Sequence, residues 1–361
     1  MKKLLFTAIS VFMLGTLHSN AAGSYAYPVS ESAENTINSA DSTVPNRAEW
    51  MGKSRWGIMV HYLADWRART DHVTITPAAW NHLVEGVDVA KLARQVDSAG
   101  AGYLIFTIGQ NSGYFDAPNK VYERLTGIKN KCSHRDLISD LSNALKKYGI
   151  KLIVYLPAGA PAGDARADSA LNWENGPHRG KEFQIKWEQI IREWSLQWGR
   201  QVAGWWFDGC YWPNTMYRSE TTPNFKSFAN AARAGNPQSC VAFNPGVVYR
   251  TISISPYEDY TAGEIDHPER MSIKRVYHGK VDGSQLHILS YLGTKWGMGS
   301  PRFTVQQIIE WGNQVIKAGG AITWDTPVQR DGTFSPAFMA QLTSFGNDVK
   351  AIEKVAQKND N

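Results

Sequence analysis

Seven short apolar runs constrain the fold of this 361-residue chain more than any other feature of its sequence. Several of them are separated by longer segments in which apolar residues recur at helical spacing. The runs are Trp56–Tyr62, Tyr103–Ile108, Lys151–Leu156, Gly204–Asp208, Cys240–Asn244, Leu286–Tyr291 and Ala321–Asp325. The helical segments are Val89–Ala99, Arg135–Tyr148, Phe183–Trp198, Phe225–Ala234 and Val305–Lys317. Continuous apolar strands that alternate with amphipathic helices are typical of a parallel sheet covered on both faces.

The pattern predicts an α/β protein with a (β/α)₈ TIM-like barrel. A weaker eighth strand around Tyr257–Gly263 completes the count, and the span from Arg55 to about Gly346 fits one barrel domain. We expect no C-terminal β-sandwich, because the chain ends one helix after the last apolar run. A doubly wound open sheet is the alternative. It is disfavoured because no strand leads into a glycine-rich dinucleotide loop or a phosphate-binding loop.

The first residues predict export. Lys2 and Lys3 precede an apolar run, Leu4–Leu17, and small residues follow it, which together are typical of a secretory signal peptide over residues 1–22. Residues 23–48 are polar and lack apolar periodicity, so we expect a tether before a catalytic domain over residues 49–361. The mature chain is then periplasmic or secreted. No later run is long enough for a membrane span.

Composition narrows the function classes. Lys and Arg total 38 against 33 Asp and Glu, an excess too small to indicate nucleic-acid binding. The chain has 14 Trp, 15 Tyr and 13 Phe, and flat aromatic faces suit the C–H faces of sugar rings. Its three cysteines, Cys132, Cys210 and Cys240, show no metal-binding spacing, and we expect them to be buried free thiols. The sequence does not indicate an oligomeric state.

Residues at the carboxyl ends of the strands are the candidates for chemistry, because barrel active sites lie there. The residues at or just after the predicted strand ends are His61, Gln110, Asn111, Tyr155, Asp208, Asn244, Glu258, Asp259, Glu264, Trp324 and Asp325. One histidine among scattered acids argues against a catalytic metal, and no cofactor is expected. No nucleophile elbow for a serine occurs. A carboxylate pair among aromatics and amides remains, which is what glycoside hydrolases use.

Six stretches, in order along the chain, resemble the α-L-fucosidases of glycoside hydrolase family 29. They are Arg55-Trp-Gly-Ile-Met-Val-His61, Asp88–Gly102, Ser133-His-Arg-Asp-Leu137 with the strand after it, Trp205-Trp-Phe-Asp-Gly209, Gly263-Glu264, and Gly319-Gly-Ala321 with Asp331-Gly-Thr333. The resemblance spans the whole predicted barrel. It implies a retaining exo-glycosidase that acts on a terminal α-L-fucoside, or on a related glycoside such as an α-L-galactoside, in oligosaccharides or polysaccharides.

The resemblance implies that Asp208 is the nucleophile and Glu264 the acid/base. Glu258 and Glu269 are close enough in sequence to compete for the second role. The expected substrate-binding residues are His61, Gln110, Asn111, Tyr155, Trp206, Asn244, Trp296 and Trp324. For Trp324, packing within the barrel wall is the alternative.

One departure from the family pattern bears on the substrate. The family's second strand usually ends in His-His-Asp-Gly, whereas this chain has Gln110-Asn111-Ser112-Gly113. Glutamine and asparagine can also hold sugar hydroxyls, but with a different set of donors and acceptors. The loss of the histidine pair leaves a second hypothesis open, namely a non-catalytic glycan-binding protein on a degenerate barrel.

Overall fold

A computed structural model of the protein describes residues 46–174, 176–212 and 215–359. All of them fall within one compact unit that spans Thr43–Asn361. The predicted signal peptide, and the predicted tether as far as residue 45, lie outside the described residues. Residues 46–48 contact the domain: Asn46 Nδ2 donates to the Asp259 carbonyl at 2.9 Å, and Ala48 is buried.

Nine strands and eleven α-helices make up the described chain. The strands are β1 Trp56–Val60, β2 Tyr103–Thr107, β3 Lys151–Pro157, β4 Gly204–Asp208, β5 Cys240–Phe243, β6 Lys280–Val281, β7 Ser284–Gln285, β8 His287–Tyr291 and β9 Ala321–Asp325. The helices are α1 Glu49–Ser54, α2 Ala64–Asp71, α3 Pro77–Glu85, α4 Val89–Ala99, α5 Lys120–Thr126, α6 Leu137–Lys146, α7 Ala165–Leu171, α8 Lys181–Trp198, α9 Phe225–Ala232, α10 Val305–Lys317 and α11 Pro336–Asn359.

Seven of the strands form one curled parallel sheet, in the order β5-β4-β3-β2-β1-β9-β8. These seven strands coincide with the seven apolar runs of the sequence, so the predicted strands of a parallel sheet are confirmed. Every neighbouring pair is parallel, and helices lie between consecutive strands along most of the chain. The carboxyl ends of all seven strands therefore lie at one edge, as the site prediction requires.

Both faces of the sheet are apolar, because alternate residues of each strand enter two separate clusters. The outer cluster packs against the helices and includes Trp56, Leu104, Val154, Trp205, Val241, Ile288 and Trp324. The inner cluster includes Met59, Ile105, Ile153, Tyr155, Trp206, Ala242, Tyr260 and Leu289. Such two-sided burial explains why the strands are continuous apolar runs rather than alternating ones.

The predicted eighth strand is not a regular strand in the structure. Residues 259–265 nevertheless bond to both edges of the sheet: Asp259 N–H donates to the Val241 carbonyl of β5 at 2.8 Å, and Leu289 N–H of β8 donates to the Gly263 carbonyl at 2.8 Å. Gly263 has a φ of +64°, and a Cβ there would lie 2.0 Å from the His287 carbonyl oxygen. This close approach interrupts the regular pairing and accounts for the difference.

All three cysteines are buried free thiols, as predicted. No helix in the described ranges is long and apolar enough to cross a bilayer.

Candidate active site

Two carboxylates meet at the carboxyl edge of the sheet, joined by one amide. Asp208 is the last residue of β4, Asn244 follows β5, and Glu264 lies on the 259–265 segment. Asn244 Nδ2 donates to Asp208 Oδ1 at 2.8 Å and also to Glu264 Oε2. The amide is fully buried, so it fixes the two carboxylates relative to each other.

Asp208 accepts hydrogen bonds at both oxygens. Oδ1 accepts from Asn244 and from the Gly209 amide at 2.8 Å, and Oδ2 accepts from the Tyr155 hydroxyl at 2.6 Å. The Tyr155 hydroxyl in turn accepts from Gln110 Nε2. Donors at both oxygens stabilise the ionised carboxylate, which is the form a nucleophile needs.

The surroundings of Glu264 favour its protonated form instead. Removal from water is the largest cause, and the negative charge of Asp208 is the next, of a rise in its pKa from 4.5 to about 8; the charge of Asp266 adds to it. The hydrogen bond from Asn244 acts in the other direction because it stabilises the ionised form. At neutral pH Glu264 is therefore mainly protonated.

The two competing acids are not joined to Asp208 in this way. Glu258 is buried, and its oxygens accept from the backbone amides of Ile254 at 2.6 Å and Phe243 at 3.2 Å. Glu269 is exposed and pairs with His267 at 2.8 Å. Of the three acids considered for the second role, the structure brings Glu264 to Asp208.

His61 lies at the same edge, directly after the residues of β1. Its Nδ1 contacts Asp325 Oδ1 at 2.7 Å. Its ring stacks on Trp66 at a centroid distance of 6.1 Å and lies 6.1 Å from the ring of Trp296. The Tyr155 ring packs against it in a T-shaped arrangement, at a centroid distance of 5.6 Å. The structure thus brings predicted residues His61, Tyr155 and Trp296 together.

Gln110 and Asn111 differ in their surroundings. Gln110 is half-buried, and its Oε1 is a buried acceptor with no protein partner among the described residues. Asn111 is exposed. An acceptor left without a protein partner next to the carboxylate pair is suited to a ligand hydroxyl.

Trp206 lines the inner face beneath the carboxylates. Its ring stacks on Tyr155 at 5.4 Å, and its Nε1 donates to the Ala262 carbonyl at 3.2 Å. Trp206 therefore supports Tyr155, whose hydroxyl reaches Asp208.

The structure corrects the prediction for Trp324. Its side chain is fully buried in the outer cluster, edge-on to Phe345 of α11 at 6.1 Å, so it faces away from the site. Asn244, also predicted to bind substrate, uses its amide nitrogen on the two carboxylates and its oxygen on the Gly246 amide, and its contact with substrate stays a prediction.

Three residues near the site were not among the predicted ones. Asp325 ends β9 on the face opposite to that of Trp324, and this alternation is the sequence signal that points to it. Trp66 lies on α2 and carried no signal in the sequence. Tyr211 is 46% exposed, and the Asp208 charge, ahead of burial and the Glu264 charge, raises its pKa. Tyr211 is therefore within electrostatic reach of both carboxylates.

No group of three or more His, Cys, Asp or Glu side chains within the described ranges is placed to hold a metal ion.

The chain is similar to known proteins in sequence and in fold. A family model described as alpha-L-fucosidase matches residues 25–352. An endo-fucoidan hydrolase from glycoside hydrolase family 107, P5AFcnA, aligns with a TM-score of 0.64 at 17% identity over 84% of this chain and 93% of that one. The alpha-L-fucosidase AlfC from Lactobacillus casei aligns with a TM-score of 0.58 at 14% identity over 87% and 99%.

A further solved structure, a family 29 alpha-L-fucosidase from Bacteroides thetaiotaomicron, aligns with a TM-score of 0.55 at 16% identity, over 87% of this chain and 75% of that one. At such identities these structures support the fold alone. No curated protein matches the chain.

Proposed function

The chain belongs to the alpha-L-fucosidase family and is a glycoside hydrolase, and from this premise we propose that it cleaves α-L-fucosides by a retaining double displacement. Asp208 is the nucleophile and Glu264 the acid/base. The single observation that carries the proposal is the pair of hydrogen bonds from Asn244 Nδ2 to both carboxylates.

The Asn244 nitrogen shared by the two carboxylates supports a retaining mechanism. Two oxygens that accept hydrogen bonds from the same nitrogen are separated by no more than about 6 Å, twice a hydrogen-bond length. Retaining glycosidases hold their carboxyl groups about 5–5.5 Å apart, whereas inverting enzymes need about 6.5–9.5 Å to admit a water molecule. The geometry therefore favours direct attack by Asp208 on the anomeric carbon.

In the first step an Asp208 oxygen forms a bond to the anomeric carbon while Glu264 gives its proton to the departing glycosidic oxygen. The products are a glycosyl-aspartate and a free alcohol on the remaining glycan. The covalent bond removes the negative charge of Asp208, which is one cause of the raised pKa of Glu264. That pKa then falls, and Glu264 becomes a base.

In the second step the Glu264 carboxylate takes a proton from water, whose oxygen attacks the anomeric carbon and releases Asp208. The donors from Tyr155, Gly209 and Asn244 stabilise the departing carboxylate. Both groups return to their starting protonation states, and no cofactor enters the proposal.

The sugar-binding part of the proposal rests on polar atoms and rings that face the pair. Gln110 Oε1 is an acceptor without a protein partner among the described residues, and His61, Trp66 and Trp296 supply a polar edge between aromatic walls. α-L-Fucose, or a sugar with a similar hydroxyl arrangement such as α-L-galactose, at the end of an oligosaccharide or polysaccharide is the proposed substrate.

We further propose that residues 259–265 take the place of the eighth strand and close the sheet into a (β/α)₈ barrel. Their hydrogen bonds to β5 and β8, and the presence of Tyr260 and Ala262 in the inner cluster, support closure. Export by a signal peptide over residues 1–22, with a polar tether before a single catalytic domain over residues 49–361, remains part of the proposal.

A second candidate is an endo-acting hydrolase of fucose-containing polysaccharides. The alignment with P5AFcnA favours it, because that endo-fucoidan hydrolase is covered over 93% of its length with a TM-score of 0.64. The exposed Tyr211 beside the carboxylates is also compatible with a neighbouring sugar ring. The two candidates differ in product size and not in the carboxylates used.

The test is product analysis with the full chain on an aryl α-L-fucoside, fucosylated oligosaccharides and fucose-containing polysaccharides. Release of L-fucose supports the exo-acting enzyme, and release of oligosaccharides alone supports the endo-acting one. Asp208→Asn should lower turnover by at least about 10³-fold.

The matched control is Asp282→Asn. Asp282 is exposed in the β6–β7 turn with a φ of +50°, which asparagine also accepts, so activity should be unchanged. No turnover of any substrate by the wild type, with sugar binding intact, would overturn the enzyme and support a glycan-binding protein.

A further inference from the structure

Asp325 is fully buried at the end of β9 and is contacted by two groups from different parts of the chain. Its Oδ1 lies 2.7 Å from His61 Nδ1, and its Oδ2 accepts from the Gly297 amide at 2.6 Å. An ionised carboxylate only accepts hydrogen bonds, so the proton of the first contact lies on His61 Nδ1.

The other nitrogen of His61 is then the one presented to the site. No hydrogen bond from a described residue engages Nε2, and the ring lies edge-on to Tyr155, whose hydroxyl bonds to Asp208. A neutral histidine with its proton on Nδ1 has an acceptor at Nε2. That atom is suited to the hydrogen of a hydroxyl group.

Asp325 is also connected through hydrogen bonds to the aromatic rings next to His61. The Gly297 amide that bonds to Asp325 follows Trp296, whose carbonyl accepts from Trp66 Nε1 at 2.6 Å. Gly297 has a φ of +63°, and a Cβ there would lie 2.5 Å from His61 Cβ. Only glycine allows the loop to approach His61 this closely.

We propose that Asp325 is a positioning residue that fixes His61 with its proton on Nδ1, so that Nε2 accepts a hydrogen bond from one hydroxyl of the bound sugar between Trp66 and Trp296. The identity of that sugar rests on the proposed function. The proposal makes this pair specificity-determining, because a sugar without the hydroxyl would leave the acceptor of a buried histidine unpaired.

Asparagine at position 325 separates this role from a purely structural one. The side chain then has one acceptor oxygen for two donors. If that oxygen keeps the Gly297 amide, the new amide group donates to His61 Nδ1, and the histidine proton moves to Nε2. Nε2 becomes a donor and no longer accepts from the sugar.

The test is ¹⁵N nuclear magnetic resonance of the histidine side chains, which distinguishes the two tautomers. The chain has nine histidines, and the signal lost in His61→Gln identifies His61. Buried His287 is an internal reference, because its Nδ1 contacts the Thr261 carbonyl at 3.0 Å and must carry the proton.

We expect the Nδ1–H tautomer of His61 in the wild type and in Asp282→Asn, and the Nε2–H tautomer in Asp325→Asn. An Nε2–H tautomer in the wild type would overturn the proposal, and this outcome does not depend on whether the variant folds. An unchanged tautomer in a folded Asp325→Asn would also overturn it.

A binding measurement then tests the role in recognition. L-Fucose should bind Asp325→Asn about tenfold more weakly than the wild type, and KM should rise by more than kcat falls. Equal affinity in both would overturn the assignment of specificity.

The tautomer result needs no turnover, so it separates the two proposals. If the protein is inactive but shows the expected tautomers, the proposed function is overturned and the pairing of His61 with Asp325 stands. If the protein is active but shows the wrong tautomer, only the pairing is overturned.

Discussion

Two glutamates six residues apart, Glu258 and Glu264, have the same raised pKa of about 8, and burial is the first cause in both. Their partners differ. Glu258 bonds to the backbone amides of Ile254 and Phe243, whereas Glu264 shares Asn244 with Asp208. A raised pKa therefore does not by itself distinguish the proposed catalytic acid from a structural one; the second carboxylate within hydrogen-bond reach of the same amide does.

The largest expected effect is on turnover. Glu264→Gln should lower kcat on a fucoside with a poor leaving group by about 10²–10⁴-fold, because glutamine has no acidic proton to transfer to the leaving oxygen. Glu258→Gln should change kcat little per folded molecule. Steady-state kinetics on leaving groups of different acidity measures both variants, and exposed Glu269→Gln is the control. Equal losses in the two variants would remove the distinction between the two sites.

The same two substitutions should act in the reverse order on stability. Glutamine at position 258 supplies one acceptor for two buried backbone amides, so we expect a loss of roughly 1–3 kcal/mol in the free energy of unfolding. Glu264 is half-buried and contacts one side-chain donor, so Glu264→Gln should cost less. Urea unfolding of both variants checks this, and a more stable Glu258→Gln protein would contradict the assignment.

The pH dependence of stability sharpens the comparison. The pKa of Glu258 rises from 4.5 in its ordinary state to about 8 in the folded protein, so folding favours the protonated group. Its contribution is fully present below pH about 4.5 and is lost as the pH rises through about 8. The stability advantage of the wild type over Glu258→Gln should therefore shrink between these values. A constant difference in unfolding free energy would show that Glu258 does not titrate there.

The smallest expected effect is on the alkaline limb of activity. The negative charge of Asp266 is the last of the causes that raise the pKa of Glu264. Asp266→Asn should move the alkaline decline of kcat/KM, expected near pH 8 in the wild type, to a slightly lower pH. Asp282→Asn should leave the profile in place. A shift to higher pH in Asp266→Asn would contradict the electrostatic account.

The sequence predicted the sheet well because two-sided burial leaves a strong signal in each strand. It did not predict the irregular course of residues 259–265, which follows from the contact between Gly263 and the His287 carbonyl. Tertiary contacts of this kind are not visible in apolar periodicity.

The site shows a similar division. Asp208 and Glu264 are recognisable from motifs, but the bond from Asn244 to both carboxylates depends on how three strand ends converge. For Trp324 the structure supports the packing alternative: successive strand residues face opposite sides, and Thr323, two residues before Asp325, bonds to the inner Tyr103. Parity along β9 places Trp324 outside and Asp325 inside.

The most direct test of the central claim is to trap the covalent intermediate. A fluorinated fucosyl fluoride slows the second step, and peptide mapping by mass spectrometry then locates the label. We expect one sugar per chain, on Asp208, and none in Asp208→Asn. A label on Glu264 or Glu258, or continued turnover of an aryl fucoside with no covalent adduct and inverted product, would contradict it.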